Sequence, residues 1–437
     1  TLTGLNAITF LENTVNATAQ IIDSAVTFTD PDSPDLNGGS LTVSYSATGL
    51  AEDQLSIKHQ GTGAGQIGLE GTTVSYAGNA IGTISTTYQG VDGANLVVDF
   101  TTNATPTAID ALIQALTYKN TSHTPTATRT ISITVSDGDG GTSTAATAVI
   151  TVTPENDAPD LTATVGGSYA EGQPSPLQFL TGADVTDPDT AHFNGGSLTV
   201  AFESYIVGDT LSIVTGGHIT LDDSTVKYSN NAIGTVSGGS GADLVINFTS
   251  TNATYAAVQA LTQQIGFSST SQNPTASGSA NNRNVTVTLN DGGNSGTGGA
   301  KDATVTNTIT VAGVNDQPTL TNLDATPTYI QAGTAIVLDA DAVLADLDLQ
   351  ALNSGSGNWN GSTLTIQRHT TVSPDDVFSA GGTSVSGLYF DTENALKFNG
   401  TAIGTYTNSA GTLAITFNTK ATTELVNSAL QNIKYSN

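Results

Sequence analysis

Cysteine is absent from this chain of 437 residues, which excludes disulfides and thiolate metal sites. Methionine is absent as well, so a chain cut from or processed out of a longer product is expected, and no signal-peptide pattern is visible in it. Positive charge is scarce: ten Lys and Arg face 38 Asp and Glu, a formal net charge of −28. Such a surface repels nucleic acid and anionic lipid, whose recognition needs basic patches. No apolar run approaches the roughly 18 residues of a membrane-spanning helix, so no membrane insertion is expected. Aromatic residues make up 6%, with a single Trp, and the cores must be lean. Neither a nucleophile elbow nor an H-E-x-x-H pattern occurs, and the five His are scattered. The expectation is a protein that is not an enzyme.

What the chain does contain is Thr, Ser, Val, Ile, Gly and Asn in alternating runs, the composition of short strands joined by turns. It also repeats. Asn37-Gly38-Gly39-Ser40-Leu41-Thr42-Val43 returns as Asn194-Gly195-Gly196-Ser197-Leu198-Thr199-Val200 and, more loosely, as Asn360-Gly361-Ser362-Thr363-Leu364-Thr365-Ile366. Leu96-Val97-Val98-Asp99-Phe100 returns as Leu244-Val245-Ile246-Asn247-Phe248 and Leu413-Ala414-Ile415-Thr416-Phe417. A period this long marks tandem domains rather than a small solenoid. Leu41, Val43 and Tyr45 alternate with polar residues, as a half-buried strand requires. One segment per unit breaks that period. Ile109, Leu112, Ile113 and Leu116 fall at helical spacing, with Thr107 as the expected N-cap. Val258, Leu261 and Ile265 repeat the stripe, as do Leu425, Ala429, Leu430 and Ile433, which predicts one short crossover helix per sandwich.

Pro154-Glu155-Asn156-Asp157-Ala158-Pro159 and Val314-Asn315-Asp316-Gln317-Pro318 read as linkers, each following a Val/Ile/Thr run. They divide the chain into units 1–155, 156–314 and 315–437. The third unit ends at Asn437, which matches Asn120 of the first, so it is expected to lack its final strands.

The acids sit at recurring places. Asp30-Pro31-Asp32, then Asn37-Gly38 and the strand Leu41–Tyr45, resembles the opening of a cadherin-type repeat. Asp137-Gly138-Asp139, a strand, and Asn156-Asp157-Ala158-Pro159 resemble the end of such a repeat and its calcium-binding linker. The resemblance extends to the bacterial cadherin-like repeats of giant adhesins and surface-layer proteins. It implies an all-β chain of three tandem Ig/cadherin-like β-sandwich domains that bind Ca2+. Calcium takes six to eight hard oxygen ligands, and carboxylates two residues apart on a turn can converge on one ion. On the resemblance, one junction gathers Glu12, Asn156, Asp157, Asp187 and Asp189. The other gathers Glu171, Asn315, Asp316, Asp346 and Asp348. Asp30, Asp32, Asp137, Asp139 and Asp291 complete the implied ligand set. The second unit has Asn290-Asp291-Gly292 in place of Asp-Gly-Asp, and the third has Gln331-Ala332-Gly333 where Glu is expected. The competing reading of the same residues is turn chemistry.

The function expected is an extracellular structural module, a calcium-rigidified spacer or a filament or surface-layer subunit of a bacterial cell surface. Its partners would be further repeats of the same polypeptide or other copies of itself. The alternative is an adhesin segment gripping surface glycan or protein, with Trp359 as a sugar-stacking residue of the third unit. An open sheet edge in that unit has three expected remedies: the native chain continues, the unit has a different ending, or a strand from another subunit completes it by donation. Leu2, Leu5, Ile8 and Phe10 of an N-terminal segment are the expected donor residues.

Overall fold

The computed structural model describes residues 1–275 and 282–437, and its sheets fall into three groups, each around its own core. In the first group, eight strands run in the spatial order Ile8–Leu11, Ala146–Thr153, Thr128–Ser136, Ser40–Tyr45, Leu96–Phe100, Asn79–Gln89, Thr73–Tyr76, Ile67–Glu70. A three-stranded sheet (Gln20–Ile21, Leu116–Asn120, Asp53–Ile57) accompanies it. Alternation sets which side chains turn inward: Leu41, Val43, Ile131 and Ile133 are buried, while the residues between them are only half-buried. All neighbours in the larger sheet are antiparallel except Ile8–Leu11, which pairs parallel with Ala146–Thr153.

The second group repeats this order strand for strand, with Asn282–Asn290 and Asp302–Ala312 as its hairpin. The third differs. Its larger sheet has five strands, ending at Thr363–Gln367, which is bonded on one side to Thr412–Phe417. In the first unit the matching strand Ser40–Tyr45 is paired on both sides.

The predicted helices are present as Pro106–Gln114, Tyr255–Thr262 and Thr423–Gln431. Their caps lie earlier than the apolar stripe alone indicates. Thr105, not Thr107, caps the first, accepting from the Ala108 amide (3.3 Å), because Pro106 is suited to the first helical turn. Each helix is also shorter than its stripe. Leu116, Ile265 and Ile433 are inward residues that open the following strand. Two further short helices, Glu12–Ala17 and Leu347–Ala351, were not expected.

Two sequence expectations are corrected here. Trp359 is 2% exposed, packs in the third core and donates its Nε1–H to Thr423 Oγ1 (3.1 Å), so its ring has no face to offer a sugar. Leu2 and Phe10 are buried in the first unit's own core, with Leu5 and Ile8 packed against it. The segment expected to project as a donor strand is engaged in its own sheets, because its alternation matches the edge left by Ala146–Thr153.

Candidate metal centres at the junctions

The first linker leaves its strand at Thr153, and Pro154, lacking an N–H, ends the pairing there. The next three residues are each tied to acids. Glu155 N donates to Glu12 Oε2 (3.0 Å), and Asp157 N donates to Asp189 Oδ2 (2.8 Å). Asn156 Nδ2 donates to Asp291 Oδ2 (2.7 Å). The linker backbone also meets the loop after Asn282–Asn290: Asn156 N donates to the Thr297 carbonyl (2.7 Å) and Thr297 N to that of Pro154 (2.9 Å). Glu12 opens the helix Glu12–Ala17, directly after the strand Ile8–Leu11, and meets the linker there.

Turn chemistry accounts for part of this cluster. Asp187 Oδ1 accepts from the amides of Asp189 (3.1 Å) and Thr190 (3.2 Å), an Asx-type turn. It does not account for the remaining oxygens. Glu12 Oε1, Asn156 Oδ1, Asp187 Oδ2 and Asp189 Oδ1 are buried without any hydrogen-bond partner, and Glu12, Asn156 and Asp187 are 0%, 1% and 6% exposed. An unmatched buried carboxylate oxygen is costly. The electrostatics agree. Burial, with the charges of Asp157 and Asp189 adding to it, pushes Glu12 up to about 7 against the lowering by the Glu155 amide. Burial and then the neighbouring Asp189 push Asp187 up to about 7. Ligand atoms of Glu12, Asp157 and the His123 imidazole lie within 4.8 Å of one another, and the unpartnered oxygens of Asn156, Asp187 and Asp189 nearby are hard donors of the kind Ca2+ takes.

The second junction keeps half of this pattern. Glu171 Oε2 accepts from the Val314 amide (3.0 Å), and Asp316 N donates to Asp348 Oδ2 (2.6 Å). Glu171 Oε1 and Asp316 Oδ2 are buried and unpartnered. The rest departs from expectation. Asp346 caps the helix Leu347–Ala351, accepting from Leu349 N (2.9 Å), and Asn315 is exposed. Among the described residues no counterpart of Asp291 faces Asn315, because that acid follows a strand the third unit's sheet does not contain.

At the other end of the first unit, Asp30, Asp32 and Asp137 meet around a cavity of about 340 Å3. Burial, then Asp32 and Asp137, hold Asp30 above the usual carboxylate range. Asp139 is not brought in: it is exposed, and its amide donates to Asp137 Oδ1 (2.8 Å).

Sequence reasoning missed two junction residues. Glu155 Oε2 accepts from Asn13 N (3.2 Å), and His123 Nδ1 lies 2.5 Å from Asp157 Oδ2. His123 has no counterpart in the other units, so no repeat signal marked it. It also missed a buried ion pair. Asp53, Asp209 and Asp376 occupy one repeated position, and each meets one of the chain's three arginines, Arg129, Arg283 and Arg368. The signal was available, since Arg129 and Arg283 both open the same strand of their units.

No protein-family model matches the chain, and no curated protein matches it in sequence. Among solved structures, it is similar to extracellular cadherin domains 3–6 of Protocadherin Gamma B2 (12% identity, TM-score 0.28), covering 95% of this chain and 64% of that one. It is similar to EC22–24 of mouse Cadherin-23 (13%, TM-score 0.28, 95% and 85% covered) and to EC21–23 of human CDH23 (14%, TM-score 0.25, 94% and 88% covered). The chain thus spans just under two thirds of the protocadherin structure. At these values the description of this molecule rests on its own sheets: an all-β chain of sandwich units with a few short helices.

Proposed function

We propose that the chain is an extracellular spacer or adhesion module of a bacterial cell-surface assembly, stiffened by calcium at the junctions of units 1–155, 156–314 and 315–437. The observation that carries this reading is the set of unpartnered buried oxygens of Glu12, Asn156, Asp187 and Asp189 at the first linker. These residues, with Asp157 and Asp291 beside them, would hold the ion. It would supply charge neutralisation and tie both units to the linker, turning a hinge into a strut. The net charge of −28 favours uptake of divalent cations over any anionic partner. In this reading the partners are further repeats, within one polypeptide or in other copies. Isothermal titration of the full chain with Ca2+ tests it. Saturable binding that weakens at least about tenfold in Asp187→Asn/Asp189→Asn is expected. Absence of binding, or binding unchanged by that pair, would refute it.

A further inference from the structure

One histidine stands among the acids of the first junction and gives it a nitrogen donor. His123 Nδ1 lies 2.5 Å from Asp157 Oδ2, and ligand atoms of Glu12, His123 and Asp157 fall within 4.8 Å of one another. Two donors bonded to one Zn2+ at about 2.1 Å each can stand no more than about 4.2 Å apart, so small side-chain shifts would close this group around an ion. The three come from separate parts of the chain: the helix Glu12–Ala17, the loop after the strand Leu116–Asn120, and the linker.

That loop is held on both sides of the histidine. The side chain of Asn16, from the same short helix as Glu12, donates to the Ser122 carbonyl (2.7 Å). Ser122 N donates to Asn120 Oδ1 (2.8 Å), Thr124 N to Ser122 Oγ (3.0 Å) and Thr126 N to Glu52 Oε1 (2.8 Å). Asp157 is fixed in turn by its amide, which donates to Asp189. Ligands anchored in this way need little further ordering when an ion binds.

A hydrogen bond between His123 and Asp157 is the plain alternative, since half of the imidazole is exposed. It satisfies Asp157 Oδ2 and leaves Glu12 as it stands, 0% exposed with Oε1 unpartnered. A buried carboxylate oxygen without a donor is costly, and a cation would relieve it. Calcium would do so through oxygens and has no use for the imidazole. Imidazole together with carboxylates suits a late first-row divalent ion. We infer that Glu12, His123 and Asp157 form a second kind of metal site at this junction, one that takes Zn2+ or a cation of its class, with water completing the tetrahedron. It shares Glu12 and Asp157 with the proposed calcium set but depends on His123, so the two readings fail separately.

The second unit supplies an internal comparison. Ser269 faces Asp209 as Asn120 faces Asp53, which sets Gln272 at the place of His123. Glu171 and Asp316 keep their places at the second junction, but among the described residues no group containing an imidazole forms there. The site belongs to the first junction.

Isothermal titration of the full chain with ZnCl2 in calcium-free buffer tests this, beside a separate titration with Ca2+. His123→Gln puts the second unit's residue at a half-exposed position. It should weaken the tightest zinc-binding step by at least about tenfold and leave calcium binding within about twofold. Co2+ in place of zinc should give the visible absorption of a tetrahedral site, and the variant should lose it. No zinc binding by the unaltered chain, or zinc binding untouched by His123→Gln, would overturn the inference. Equal weakening of zinc and calcium would overturn it too, making His123 a support of the calcium site. Zinc binding that the variant loses, in a chain that binds no calcium, would uphold this site and remove the calcium reading instead.

Discussion

The residues that decide this molecule's behaviour are acids placed where water cannot fully reach them. Glu12 and Asp187 hold their protons up to about 7, from ordinary values of 4.5 and 3.8, chiefly because they are buried. A carboxyl group raised in this way favours the folded state while protonated. Its contribution is complete below the ordinary value and is lost as pH rises through the shifted one. In chelator, the first junction should therefore weaken as pH climbs from about 4 to about 8. Glu12→Gln should flatten that dependence, and calcium should remove it by favouring the ionised forms. Differential scanning fluorimetry across that range, with and without calcium, checks all three outcomes. The buried ion pairs lead to a second prediction. Arg129 donates to Asp53 (2.6 Å) and Glu52 (2.5 Å), and both Arg129 and Asp53 are buried. Arg129→Met should cost about 3–5 kcal/mol in the first unit, because it strands a buried charge. Asp53→Leu combined with Arg129→Met should cost less. Hydrogen exchange along Thr128–Ser136 would read the difference.

At the scale of elements, period and punctuation in the sequence carried most of the architecture. The strands Ser40–Tyr45 and Leu96–Phe100 recur in all three units because alternating side chains leave one solution, inward Leu and Val and outward Thr and Ser. The helices were legible by their stripe but not by their ends. Leu116 continues the helical spacing yet begins a strand, since an inward apolar residue satisfies either period at an element boundary. Thr105 against Thr107 is a test of that correction. Thr105→Ala should destabilise the first unit by about 1 kcal/mol and Thr107→Ala by much less, measured by thermal unfolding. Pairing across the third sheet was less legible. Contacts such as Tyr329 with Tyr435 join distant segments, and no local pattern encodes them.

At the scale of the whole molecule, the sequence named several acids that the structure brings to the first linker, but neither Glu155 and His123 beside them nor the geometry of the cluster. It was the resemblance to cadherin-type repeats that pointed to Glu12, Asn156, Asp157, Asp187 and Asp189 as one junction. Which oxygens stay unpartnered depends on how two units meet. The two junctions differ among the described residues. The first linker is gripped by the Thr297 loop and by Asp291 of the following unit, and the second has neither among the described residues. Small-angle X-ray scattering of the full chain, in calcium and in excess chelator, tests the central claim most directly. The account predicts a longer and narrower particle with calcium, and a shortened, broader distribution of distances when it is removed. It further predicts that Asp187→Asn/Asp189→Asn in calcium shifts the curve toward that obtained in chelator. Superimposable scattering in calcium and in chelator would contradict the claim that a bound cation holds these units in line.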